Sequence, residues 1–226
     1  MTEQIFSQSK LKLASVKKLE IPTIEEHAER ALYVYLCSAD LTYKIVTQKE
    51  YSKMIREFYK QMTHYLMTTR FNNCTFKENR SFCKKKPNIG CIYGSPVEIR
   101  SSIPIERVLF ILEMNNDTNS IEAIGMVRNK PCFKKYNVYS NMNYNRFFYI
   151  GKYRIDKNEM NEQEKKIMKL LESFCFKGVQ HMKRGHGITG YATEILFRLY
   201  PFIDVIEFIK EMFKERIGEE KNKLIQ

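Results

Sequence analysis

Nowhere in the 226 residues is there a run of about 18 apolar side chains, the length a helix needs to cross a bilayer. The amino-terminal stretch MTEQIFSQSKLKLASVKK has no apolar core followed by a cleavage signal. A soluble intracellular protein of nucleus or cytoplasm, with no membrane partner, is therefore expected. Cysteine is sparse: Cys37, Cys74, Cys83, Cys91, Cys132 and Cys175 are too few for a disulfide-stapled scaffold, so free, mostly buried thiols are expected. Cys74, Cys83 and Cys91, taken with His64, lack the close pairing of zinc ligands, and no metal or cofactor is implied. Also missing are GxxxxGK[ST], a GxGxxG after a strand, HExxH and the GxSxG elbow. Catalysis is left without a constellation, and a binding protein is expected before an enzyme.

Acid is missing in one long stretch, and that absence carries the main functional signal. The chain has a net charge of +12. From Arg128 to Arg154 there are seven bases, Arg128, Lys130, Lys134, Lys135, Arg146, Lys152 and Arg154, and no acid. From Arg70 to Arg100, Arg70, Lys77, Arg80, Lys84, Lys85, Lys86 and Arg100 face only Glu78 and Glu98. These two segments hold the whole excess, and the remaining residues are formally neutral. Charge so concentrated repels itself, and a polyanion whose phosphates release counterions relieves that repulsion. Tyr136, Tyr139, Tyr144, Phe147, Phe148, Tyr149 and Tyr153 interleave with the second set of bases, and Asn137, Asn141, Asn143 and Asn145 add amides. Rings, amides and bases together suit an unpaired or flipped base, although alternating rings in strands serve equally as core.

The periodicities predict an α+β chain. Thr23 and Glu26 form a capping box ahead of Ala28, Ala31, Leu32, Tyr35 and Leu36, which predicts a helix over 24–37. Thr47 and Glu50 repeat it before Tyr51, Met54, Ile55, Phe58, Met62 and Leu66, a longer helix that completes an N-terminal helical cap over 1–68. Residues 69–226 are expected to form a β core with C-terminal helices, making one compact unit with the cap. Arg107 to Met114 reads as a strand buried on both faces, turned by Asn115 to Asn119 into Ser120 to Val127. A second strand pair is predicted at 137–140 and 147–153, with Gly125 and Gly151 at bulges or close backbone approaches. Asn161 and Glu164 cap a helix over 162–176 ended by Gly178, and Pro201 opens a last helix that stops near Gly218. Between these helices, KGVQHMKRGHGITGY (177–191) has three bases, two histidines, four glycines and no acid. There Lys183, Arg184 and the amides of Gly185 and Gly187 are expected to grip a phosphate, beside His186.

The strand VLFILEMN, its asparagine-rich turn, the strand IEAIGMV and the aromatic strand YNRFFYIGKYRID resemble the PUA-like superfamily, which includes the YTH, EVE and ASCH domains. The resemblance runs from Cys91 to Asp156. It implies a small curved β-barrel flanked by the N-terminal and C-terminal helices, and recognition of a single-stranded, flipped or modified base. The YTH domains cage methyladenine with tryptophans, and this chain has none, so that specificity is not implied.

The partner expected is nucleic acid, RNA or DNA, and the contacting residues are Lys84, Lys85, Lys86, Arg128, Lys130, Lys134, Lys135, Asn143, Tyr144, Asn145, Arg146, Phe148, Lys152, Arg154, Lys183, Arg184 and His186. An alternative is a metal-dependent nuclease built on Glu98, Glu106 and Glu113 with Lys183 or His186. Against it, a restriction-type site places lysine two residues after the strand carboxylate, whereas Glu113 is followed by Met114 and Asn115. Ion pairing or a place on the barrel rim is the simpler role for these glutamates. A basic module for an acidic protein partner is the third class.

Overall fold

Apolar residues at helical spacing fold first into helix α1, Gln48–Gln61, in a computed structural model that describes residues 48–178 and 181–223. The predicted helix over 24–37 lies outside those residues. Helix α1 ends at Gln61 and does not continue to Leu66, because Tyr65–Phe71 is strand β1, with six of its seven residues buried. β-branched Thr68 and Thr69 between Tyr65 and Phe71 suit a pleated strand covered on both faces. Helix α2, Asn73–Lys84, opens with a reciprocal box in which Asn72 Oδ1 accepts from Thr75 N at 2.8 Å.

Strand β2 is Cys91–Ser95. The predicted hairpin forms from β3, Val108–Asn115, and β4, Ser120–Arg128, with a register shift at Glu113 and Met114. Strands β5, Phe147–Gly151, and β6, Tyr153–Asp156, follow a short 3-10 turn at Met142–Asn145. Helix α3, Glu162–Phe176, begins at the predicted box, with Asn161 Oδ1 accepting from Glu164 N at 2.9 Å, and Gly178 follows it at φ 80°. After β7, Thr189–Gly190, come α4, Thr193–Leu199, and α5, Val205–Lys223. Pro201 lies in a turn and opens no helix; Asp204 caps α5 by accepting from Glu207 N at 3.0 Å, and α5 runs through Gly218.

The architecture is α+β, with two sheets among the described residues. One has the order β6-β4-β3-β1-β7, with β1 parallel to β3 and the other pairs antiparallel; the second joins β2 to β5. No closed barrel forms among the described residues. Residues 137–140, expected to be a strand, are held as a loop because the Asn145 side chain occupies their backbone, accepting from Val138 N and Tyr139 N at 3.1 Å each. Strand β5 pairs instead with β2, and at Gly151 and Lys152 the chain passes from the small sheet into β6 of the large one.

The chain divides into two compact units, one including residues 48–61 with Ala192–Phe208, the other Met62–Tyr191 with the chain from Ile209 onward. In the first, Phe58 meets Phe197 and Tyr200 edge to face, with centroids 5.5 and 5.3 Å apart. In the second, β3 is the spine: Leu109, Ile111, Leu112 and Met114 are fully buried, and the Phe110 ring stacks against Phe213 at 5.5 Å. Gly125 is required by close approach, since a Cβ there would collide with the Tyr93 hydroxyl.

Candidate anion-binding surface

Strand β2 organises the basic segments around its two ends. Before it, α2 unwinds in successive turns, with Lys85 N, Lys86 N and Ile89 N donating to Phe82 O, Cys83 O and Lys86 O, and these turns leave Lys84, Lys85 and Lys86 exposed in a row. Two residues earlier, the Phe82 ring packs on Tyr136 at 5.5 Å, and Tyr136 packs on Phe148 at 5.8 Å. That run of rings joins the two basic segments. Lys134 Nζ lies 5.6 Å from the Tyr136 ring, with exposed Lys135 between them in sequence. Gly90 N donates to Gly151 O at 3.0 Å, which places exposed Lys152 at the same end, its Nζ 5.0 Å from the Tyr153 ring. Among the described residues, Lys84, Lys85, Lys86, Lys134 and Lys135 form no ion pair with a carboxylate. Like charges well inside a Debye length of about 8 Å repel, and an anion laid across them relieves that repulsion.

Several predicted contacts are corrected. Arg154 does not face solvent: its side chain is 6% exposed, with Nε and one terminal nitrogen donating to both Glu113 oxygens at 2.9 and 2.8 Å and the other to Asp156 at 2.9 Å. The Tyr93 hydroxyl donates to the same Glu113 at 2.8 Å. Burial opposes the charged guanidinium, but Glu113 outweighs it and holds the Arg154 pKa above its ordinary value. Phe148 is no stacking platform, because at 1% exposure it is core; Tyr139 and Tyr149 are buried with it. Asn145 is committed to the loop it ties. Lys130 pairs with the Glu106 carboxylate at 2.6 Å and Arg128 donates to the Glu106 backbone carbonyl at 3.0 Å, while both bases stay exposed. Glu113, named for the nuclease, is the fully buried member of the Arg154 pair.

One ring missed in the sequence stands where the buried ones do not. Phe133 is 95% exposed, directly before Lys134, and its mount is fixed because Cys132 N donates to Phe148 O at 2.7 Å. The signal in the sequence was slight: Pro131 and Cys132 precede it, and two lysines follow, so no apolar period claims it.

At the other end of β2 lies the glycine loop. Buried Gly187, at φ 66°, packs on Ser95, and the half-buried Tyr144 lies against Gly94 through its carbonyl. Asn143 and Arg146 are exposed on the 3-10 turn and just after it. Lys183 is tethered: Nζ donates to Asn119 Oδ1 at 2.8 Å, and its carbonyl accepts from Asn116 Nδ2 at 3.2 Å. Arg184, Gly185 and His186 are exposed, and the amides of Gly185, His186 and Gly187 donate to no acceptor among the described residues. Beneath them is Arg70 of β1, absent from the sequence-based site. Its Nε donates to Met182 O at 2.5 Å and one terminal nitrogen to Thr189 Oγ1 at 2.8 Å. The other terminal nitrogen, Nη1, is buried without a partner among the described residues.

No protein-family model matches the chain, and neither a curated protein sequence nor a solved structure matches it.

Proposed function

We propose that this protein binds nucleic acid across the Lys84–Lys86 and Lys134–Lys135 surface, with Phe133 stacking on an unpaired base. The observation that carries the reading is the Phe82–Tyr136 ring contact, which brings the two lysine-bearing segments together. Lysine suits this task as a hydrated point charge that meets phosphates without demanding one geometry. Ring stacking suits it too, since every base offers a π-face, and a single exposed ring among lysines favours single strands over duplex. The resemblance of β3, β4, β5 and β6 to PUA-like domains belongs to the same proposal. It is supported by the passage of the chain from one sheet into the other at Gly151 and Lys152.

The test is fluorescence anisotropy on labelled single-stranded and duplex DNA and RNA. Micromolar or tighter binding is expected. The combined change Lys84→Glu, Lys86→Glu, Lys134→Glu and Lys135→Glu should abolish it with the thermal midpoint held, because every altered side chain is exposed. Phe133→Ala should lower single-strand affinity while leaving duplex affinity unchanged. Full binding by the reversed protein would remove this surface from the function.

A further inference from the structure

We infer that Arg70 and the Lys183–Gly187 loop form a phosphate-binding site distinct from the lysine surface. Three guanidiniums can be compared within the larger unit. Arg154 sits between Glu113 and Asp156, and Arg216 makes paired bonds to Glu164, both at 2.8 Å; each has its pKa held above the ordinary value with a carboxylate among the causes. Arg70 has no such neighbour among the described residues. Its pKa is lowered, first by burial, and the ionisable groups acting against that are the Cys175 thiol and the Tyr144 phenol. The two bonds it makes go to a carbonyl and a hydroxyl, neither of which neutralises a charge. A half-buried cation without a counter-ion among the described residues, and with its buried Nη1 lacking any acceptor there, costs the fold on its own and is favoured once an anion is supplied.

The loop over Arg70 is suited to supplying donors to that anion. Gly185, at φ 119°, lies directly against the guanidinium: a Cβ built there would be 3.6 Å from Cζ and 3.7 Å from Nη1. Gly185 puts no side chain of its own over the guanidinium, and Gly185 and His186 are exposed. The amides of Gly185, His186 and Gly187, which donate to no acceptor among the described residues, belong to this strap, and exposed Arg184 directly precedes them. One guanidinium nitrogen, three amides and a second guanidinium offer more donors than the two oxygens of a carboxylate can accept. A tetrahedral phosphate with three terminal oxygens accepts them all, as guanidinium forks and backbone concavities do elsewhere. The ligand class is therefore a terminal phosphate, either free or on a nucleotide or an oligonucleotide end.

The site is tested on the full chain by calorimetry and thermal melting with inorganic phosphate, ionic strength being held constant with chloride. Nucleoside 5′-monophosphate is compared with the bare nucleoside, and 5′-phosphorylated with 5′-hydroxyl oligonucleotide, to identify the source of the phosphate. Wild type should bind phosphate and melt later in it. Arg70→Met should weaken binding about tenfold or more, the loss of a charge-assisted bond. Should Arg70→Met fail to fold, Arg184→Ala on the exposed rim gives the same answer through a smaller loss. The Lys84, Lys86, Lys134 and Lys135 reversal should leave the phosphate response intact, which separates this site from the lysine surface. A wild type indifferent to phosphate, or an Arg70→Met or Arg184→Ala protein that binds as wild type does, overturns the inference.

Discussion

Arg154 and Phe148 show how burial separates residues that look alike in a sequence. Arg154 belongs to an acid-free basic segment, yet its guanidinium is locked to a fully buried Glu113. Arg154→Leu would leave that carboxylate buried and unpaired, and should cost about 3–5 kcal/mol in chemical denaturation. Phe148→Ala should lose a similar ~3–5 kcal/mol by emptying a core position, whereas Phe133→Ala should shift stability by no more than ~0.5 kcal/mol. That contrast distinguishes core rings from an exposed one. The role of Glu113 as an ion-pair residue was legible, since a carboxylate inside RVLFILEM must be neutralised. Its partner was not, because Arg154 lies 41 residues away and looked like any other base of its segment. Arg70 was hidden for the converse reason: only coordinates show which arginine has no acid beside it.

The elements were readable where two independent signals agreed. The β3–β4 hairpin combined an apolar run with a turn of asparagines, and α3 combined a capping box with helical spacing; both formed within a residue of the expected bounds. Strand β1 was misread because Leu66 stands four residues after Met62, so one residue satisfied both a helix and a strand. Helix α2 went unseen because its buried side is thin, only Asn79 and Cys83. Seven residues of α4 are too few to show a period. Gly125 was expected at a close approach, and the Tyr93 hydroxyl is what approaches it. Gly125→Ala should therefore cost about 1–3 kcal/mol through overpacking between the two sheets, measured by denaturant midpoint at unchanged slope.

For the molecule as a whole, charge location was legible and ring orientation was not. Segmental counting placed the surplus in two stretches, and Phe82 with Tyr136 brings them together; alternation could not say which rings point inward, and Tyr139, Phe148 and Tyr149 do. Buried thiols and phenols also set an alkaline limit. Burial pushes the Cys91 and Cys175 thiols up to about 12 from an ordinary value of 9.0, and raises Tyr93 and Tyr191 as well. The unfolded chain loses these protons first, so their contribution is complete below about pH 9 and lost as pH rises towards 12. Thermal midpoints should be flat through neutral pH and fall progressively above pH 9, and a midpoint that rises there would contradict the burial of these groups. A phosphate-binding surface of clustered lysines must show itself in the salt dependence of oligonucleotide affinity. With about five phosphates engaged, the logarithm of the binding constant should fall against the logarithm of salt concentration with a slope of about −4. A slope near zero, or no binding in dilute salt, would contradict it.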